Sequence, residues 1–295
     1  MTKTKIIEEK DEKIRILLTD TDRAFVNAIR RTLMAETPKM AIDKVRFEMG
    51  TIEQDGEVWE TNGPLPDEMI AQRLAMIPIP TVHDEFYFQD ECPECAELVA
   101  KDRGCPLCTM IYTCKEFGTD GGRPITAGDM SYLGEARLNI PEKYRSIVIT
   151  KLSKGQMIEF YATAIMGRGN EHAKWSPVCG TTFTSRKVGV MNNKTKAKIL
   201  WKLGLSIKAK DFDGEGRLED LDKVDQLVDD LNHVGPGTEE SRDFKDAIIL
   251  EEVPGEFILS FETDGSMAPR VAFERAIAEL SGRFGEMKED IAAVF

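Results

Sequence analysis

A chain of 295 residues has room for two or three domains, and its 41% hydrophobic and 31% charged content is that of an ordinary soluble globular protein. A formal net charge of −13 argues against general nucleic-acid binding, because affinity for phosphate comes chiefly from lysine and arginine. No apolar run approaches a membrane span and the first ten residues lack the apolar core of a signal peptide, so a cytoplasmic location is expected, where six cysteines point to metal rather than disulfides.

Residues 12–19 read as a strand that leads into a helix from Thr21 to Leu33. Asp20 and Thr21 are good caps for it, and Phe25, Ala28, Ile29, Thr32 and Leu33 recur at helical spacing to make one apolar face. Arg23, Asn27, Arg30 and Arg31 lie off that face, and Thr37-Pro38 ends the helix. A strand follows over 39–53, with Met40, Ile42, Val45, Phe47 and Met49 as its apolar residues. Pro66 opens a second amphipathic helix carrying Met69, Ile70, Leu74 and Met76.

Five of the six cysteines fall within 91–114. Cys92-Pro-Glu-Cys95 and Cys105-Pro-Leu-Cys108 are two CxxC knuckles, each able to turn a pair of thiolates toward one point, and four sulfurs around one ion make a closed tetrahedral site. Structural zinc is the first reading, an iron–sulfur cluster the second, and a metal-free loop the third. Cys114 sits in a strand-like run, Met110 to Cys114; a buried thiol is its default, with a substitute ligand as the alternative. Cys179 stands alone and reads as structural.

Asp120 to Pro124 is a turn, and strands are expected at 146–151 and 156–165 around a turn at Gly155. Residues 191–245 segregate charge: six lysines, Lys194 to Lys210, precede nine acids between Asp211 and Asp230. Such a stretch reads as an appended unit. Within it, Asp211-Phe-Asp213-Gly-Glu215 resembles the start of a calcium loop, but the twelfth position is Asp222 rather than the usual glutamate, so an acidic surface turn is favoured over a cation site. Gly235-Pro236-Gly237 marks a linker, and 256–262 a strand. Pro269 opens a long helix in which Phe273, Ile277, Leu280, Phe284, Met287, Ile291 and Val294 follow in steps of four and three. That is a heptad seam, suited either to packing within the chain or to an inter-subunit contact.

Three stretches together resemble the alpha-like subunits of cellular RNA polymerases, in their archaeal form: Thr19 to Met34, Leu65 to Ile79, and Gly167 to Pro177, which contains Trp175-Ser-Pro. The resemblance spans nearly the whole chain except about 190–245. It implies an α+β fold: a split dimerisation domain of antiparallel sheet and long helices from 1–50 with 250–295, an inserted mainly-β domain over 51–190 that carries the cysteine loop, and an appended, ferredoxin-like α+β domain over 191–249 without cluster cysteines. It implies a non-catalytic assembly scaffold of DNA-directed RNA polymerase, a nucleotidyltransferase. The partners would be a smaller alpha-like subunit, L, through the tail helix; small subunits N and P; and the second-largest subunit, near Arg30, Arg31, His172, Lys174 and Trp175. DNA would be met only indirectly. The competing readings are a zinc-knuckle nucleic-acid binder, disfavoured by Glu91, Glu94, Glu97 and Asp102, and an iron–sulfur redox protein, which rests on cysteine count alone.

Overall fold

The structure, a computed structural model, describes residues 2–54, 56–202, 205–233 and 246–294. The expected linker at 235–237 lies outside these residues. Thirteen strands and five α-helices are present among them. In chain order they are β1 (Lys3–Glu9), β2 (Lys13–Thr19), α1 (Arg23–Ala35), β3 (Lys39–Phe47), β4 (Thr51–Gln54), β5 (Glu57–Glu60), α2 (Asp67–Ala75), β6 (Thr109–Phe117), β7 (Arg123–Thr126), β8 (Ser131–Tyr132), β9 (Val148–Leu152), β10 (Met157–Gly167), β11 (Val178–Met191), α3 (Lys194–Lys202), β12 (Arg217–Leu218), α4 (Leu221–His233), β13 (Ile248–Thr263) and α5 (Pro269–Val294). The result is a mixed α+β chain built on antiparallel pairing, with a five-stranded sheet of order β1-β2-β13-β11-β12 and a four-stranded sheet of order β3-β10-β6-β8.

The chain forms two compact units, each discontinuous in sequence. One comprises Ile7–Arg15, Asn27–Thr182 and Ser260–Phe295. Its centre is β10, which pairs β3 on one side and β6 on the other, with Phe160 opposite both Phe47 and Cys114. Alternate residues Ile158, Phe160, Ala162, Ala164 and Met166 point into a core shared with Met40, Ile42, Tyr112 and Cys114. The small Ala162 and Ala164 leave room there for Tyr112, whose hydroxyl donates to the Leu138 carbonyl. The β3–β10 register shifts between Thr163 and Ala164, so that Asp43 has no opposite residue. This bulge explains why the apolar positions of β3 change phase, from Met40 and Ile42 to Val45 and Phe47. Ile70 and Leu74 bury one face of α2 in the same core.

The other unit comprises Met1–Ile6, Ile16–Val26 and Phe183–Leu259. Here α3, α4 and β12 enclose a core of their own, including Ala197, Leu200, Phe212, Leu218, Val224 and Leu227. A Cβ on Gly189 of β11 would lie 2.7 Å from the Leu227 side chain, so any larger residue there would force that buried leucine to shift. The segment 191–233, which the sequence left unassigned between helices and strands, is therefore mostly helical among its described residues.

Several boundaries differ from expectation: the strand expected over 256–262 begins at Ile248, and two others have a clear physical cause. The α1 cap is Asp22, whose Oδ1 accepts from the Phe25 N–H at 2.8 Å, while Asp20 takes a left-handed backbone with φ 55° and only turns the chain. The expected strand over 39–53 is two strands, because Gly50 breaks it and β4 turns back against β5 as a hairpin.

Candidate functional site

The two CxxC knuckles close on each other. Cys92, Cys95 and Cys108 are buried and Cys105 partly so, and the four sulfurs lie within 4.8 Å of one another. Each knuckle is a tight turn: the Cys95 N–H donates to the Cys92 carbonyl and the Cys108 N–H to the Cys105 carbonyl, both at 3.1 Å. Sulfur separations are 3.4 Å for Cys92–Cys105 and 3.8 Å for Cys105–Cys108 and Cys95–Cys108. A tetrahedron of sulfurs about 2.3 Å from one ion has edges of about 3.8 Å, so the site fits a single small cation. A multi-iron cluster would spread its four cysteine sulfurs farther apart, since they are shared among two or four metal atoms. Arg103 ties down the joining loop by donating to the carbonyls of Leu98 and Ala96.

The electrostatics agree with a cation site. Backbone N–H groups of Gly104 and Cys105 bring the Cys95 thiol down to about 7, whereas desolvation pushes Cys105 and Cys108 up. Four thiols in one small volume cannot all ionise without a positive ion among them. Cys114 is elsewhere: it is 1% exposed, on β6 and inside the sheet core, and burial raises its thiol to about 12. Cys179 lies exposed on β11. The acidic run Asp211–Glu215 is used internally. Asp211 accepts from the Lys223 ammonium and the Lys208 N–H, and Asp213 from the N–H groups of Glu215 and Arg217.

The two ends of the Gly167–Pro177 segment turn inward, while residues 170–173 are exposed. Trp175 is 7% exposed and stacks on Gly167, where a Cβ would come within 2.4 Å of the indole, and its Nε1–H donates to the Ile165 carbonyl. The Lys174 ammonium donates to Asp43, the bulged residue of β3, at 2.7 Å. His172 is exposed, and its Nδ1 accepts from the Lys174 N–H. Two further residues hold this segment and gave no sequence signal beyond charge in an apolar context. Lys39, 3% exposed, donates from one ammonium to the Lys174 carbonyl and to Asp264. Arg168 joins the Glu36 carbonyl to the Glu279 carboxylate.

The tail helix presents the opposite situation. Ala272 and Ala276 of α5 are buried, and Phe273, Ile277 and Leu280 are half-buried. From Ser281 to Val294 every residue is exposed, with Phe284 and Met287 at 57% and Ile291 at 54%. Nothing lies within 4 Å of a Cβ built on Gly282 or Gly285. On α1, Arg30 is half-buried and donates to Asn27 and to the Met34 sulfur, while Arg31 is exposed.

Residues 15–284 match the family described as the RNA polymerase Rpb3/Rpb11 dimerisation domain. The chain belongs to that family. It is 30% identical over 292 residues to DNA-directed RNA polymerase subunit Rpo3 of Thermoplasma volcanium, covering 98% of each chain. It is 29% identical over 293 residues to the Rpo3 subunit of Picrophilus torridus, covering 97% of this chain and 98% of that one. Similarity reaches DNA-directed RNA polymerase II subunit rpb3 of Dictyostelium discoideum, at 28% over 302 residues, 95% of this chain and 94% of that one. With coverage this full, the family likeness extends across the charge-segregated 191–245 segment as well. No helix among the described residues is long and apolar enough to cross a membrane.

Two outcomes follow from this geometry. Replacing Lys39 with Met strands Asp264 and the Lys174 carbonyl, and should destabilise the protein by about 3 kcal/mol in urea unfolding, the lower end for a broken buried pair because Asp264 stays partly hydrated. Cys95→Ser should abolish metal retention after a chelator wash, measured by elemental analysis, while Cys114→Ser should leave the stoichiometry unchanged.

Proposed function

We propose that this chain is a non-catalytic assembly subunit of an archaeal DNA-directed RNA polymerase. The observation that carries the proposal is the uncovered apolar stripe on α5, in a chain whose family is defined by dimerisation. Phe284, Met287 and Ile291, following the half-buried Phe273, Ile277 and Leu280, repeat at the spacing of a helix that packs lengthwise on a partner. The partner we assign to the stripe is the smaller alpha-like subunit L. The pair would then receive subunits N and P and the second-largest subunit, with the nucleotidyl-transfer chemistry residing in the large subunits.

Within this reading the four-cysteine site holds structural zinc. Cys92, Cys95, Cys105 and Cys108 would ligate it, and the ion would supply loop stability by compensating the thiolates. The loop has almost no other core: its buried cluster consists of the cysteines themselves. Arg31, exposed on α1, and His172, exposed beside the inward Lys174 and Trp175, are the residues left to contact a large subunit. Arginine suits that role because its planar fork can hold carboxylates in two places at once.

The proposal makes two separable claims. Phe284→Asp should abolish co-purification with subunit L, since the buried seam would then contain an unpaired carboxylate; unchanged recovery of L would sink the pairing. Arg31→Glu should keep L but lower recovery of the second-largest subunit when the complex is reconstituted and resolved by gel filtration.

A further inference from the structure

Neither the metal loop nor the tail helix accounts for the basic half of the 191–233 segment. Lys194, Lys198 and Lys202 stand four residues apart on α3, so they form one row along the helix, about 6 Å apart in rise. All three are exposed, together with Lys196 and Ile199, while Ala197 and Leu200 hold the other side of the helix in the core. Lys208 and Lys210 follow, also exposed. Among the described residues none of these lysines has an ion pair, in a chain with 52 acidic residues.

The arrangement works against the helix that bears it. Lys194 and Lys196 place positive charge in the first turn, where the helix dipole is already positive, and that turn contains no acid. Lysines spaced four apart also repel one another. Asn193 caps the helix by accepting from the Thr195 and Lys196 N–H groups, but the nearby acids are engaged elsewhere: Asp230 accepts from the Ser206 N–H and hydroxyl, and Asp211 accepts from Lys223. Among the described residues the row is therefore left without an anion.

We propose that the lysine row of α3 is a contact for the sugar–phosphate backbone of nucleic acid. The row is linear, as a polyanion strand is. It is built of lysine point charges without an arginine fork, which suits electrostatic, sequence-independent phosphate contact rather than paired recognition of a carboxylate. The proposal does not depend on pairing through α5, because it can be tested on the full chain alone.

The test is fluorescence polarisation with a labelled DNA duplex and a labelled single-stranded RNA, titrated with the full-length protein between about 50 and 200 mM salt. Wild type should bind both, more weakly as salt rises. Lys194→Glu/Lys198→Glu/Lys202→Glu should weaken binding at least tenfold, as one expects from roughly one decade per few lost phosphate contacts. The milder triple glutamine variant should reduce the slope of log K against log salt on the duplex by roughly 2.7, at about 0.9 per lost phosphate contact. Lys5→Glu/Lys44→Glu/Lys101→Glu, an equal change in net charge elsewhere, should leave affinity within about twofold, well under the change from one lost contact. No binding by wild type, or equal loss in both charge-reversed variants, would overturn the proposal. So would tighter binding of a poly-glutamate peptide than of the nucleic acids, which would assign the row to an acidic protein.

Discussion

The buried cations Lys39 and Lys174 and the half-buried Arg168 set the geometry of the region around the Gly167–Pro177 segment. A charge taken out of water is costly unless it meets opposite charge and oriented dipoles, and each of these three does. Lys39 reaches Asp264 just ahead of α5; Lys174 reaches Asp43 in the bulge of β3; Arg168 joins the end of α1 to Glu279 on α5. Segments more than a hundred residues apart in sequence thus share one set of partners. A shift of any of them by a single residue would strand a charge, so the network selects one register out of several that apolar packing alone would tolerate.

Much of this was legible in the sequence where one periodicity dominates. The apolar face of α1, the strand pattern of β10 and the full length of α5 follow from spacing, and even the Asp43 bulge is written into β3 as a change of phase. The paired knuckles announced a four-sulfur site because their spacing leaves few other uses for the thiols. Legibility failed where side-chain chemistry is mixed. β11, with its run Thr181-Thr-Phe-Thr-Ser-Arg-Lys, carries too few apolar residues to stand out, although it spans 14 residues. In α3 and α4 charge overwhelms the helical pattern, and burial there rests on single residues such as Ala197 and Val224.

The Gly167–Pro177 segment shows a different limit. Motif likeness identifies it but does not say which way its side chains point. Trp175 and Lys174 are taken up by Gly167, Ile165 and Asp43, so much of what makes the segment recognisable is internal architecture. The two positively charged groups of residues on the surface also differ in kind. Arg31 is a single fork on a well-packed helix, whereas the lysines of α3 form an extended row whose mutual repulsion a bound anion would relieve.

The last fourteen residues of α5 bury no side chain, and their tertiary support among the described residues is the ion pair of Arg283 with Glu36. Two glycines lie in open space among them, and an isolated stretch of this length is marginal in water. On the pairing proposed above, a partner that covers the stripe would also hold this stretch of helix, to a degree set by its concentration. A copy made in excess would keep an oily, fraying end on display, the feature that chaperones and proteases act on. On the pairing proposed above, the helix that joins the chain to its assembly would also be the part of an unassembled copy most open to proteolysis.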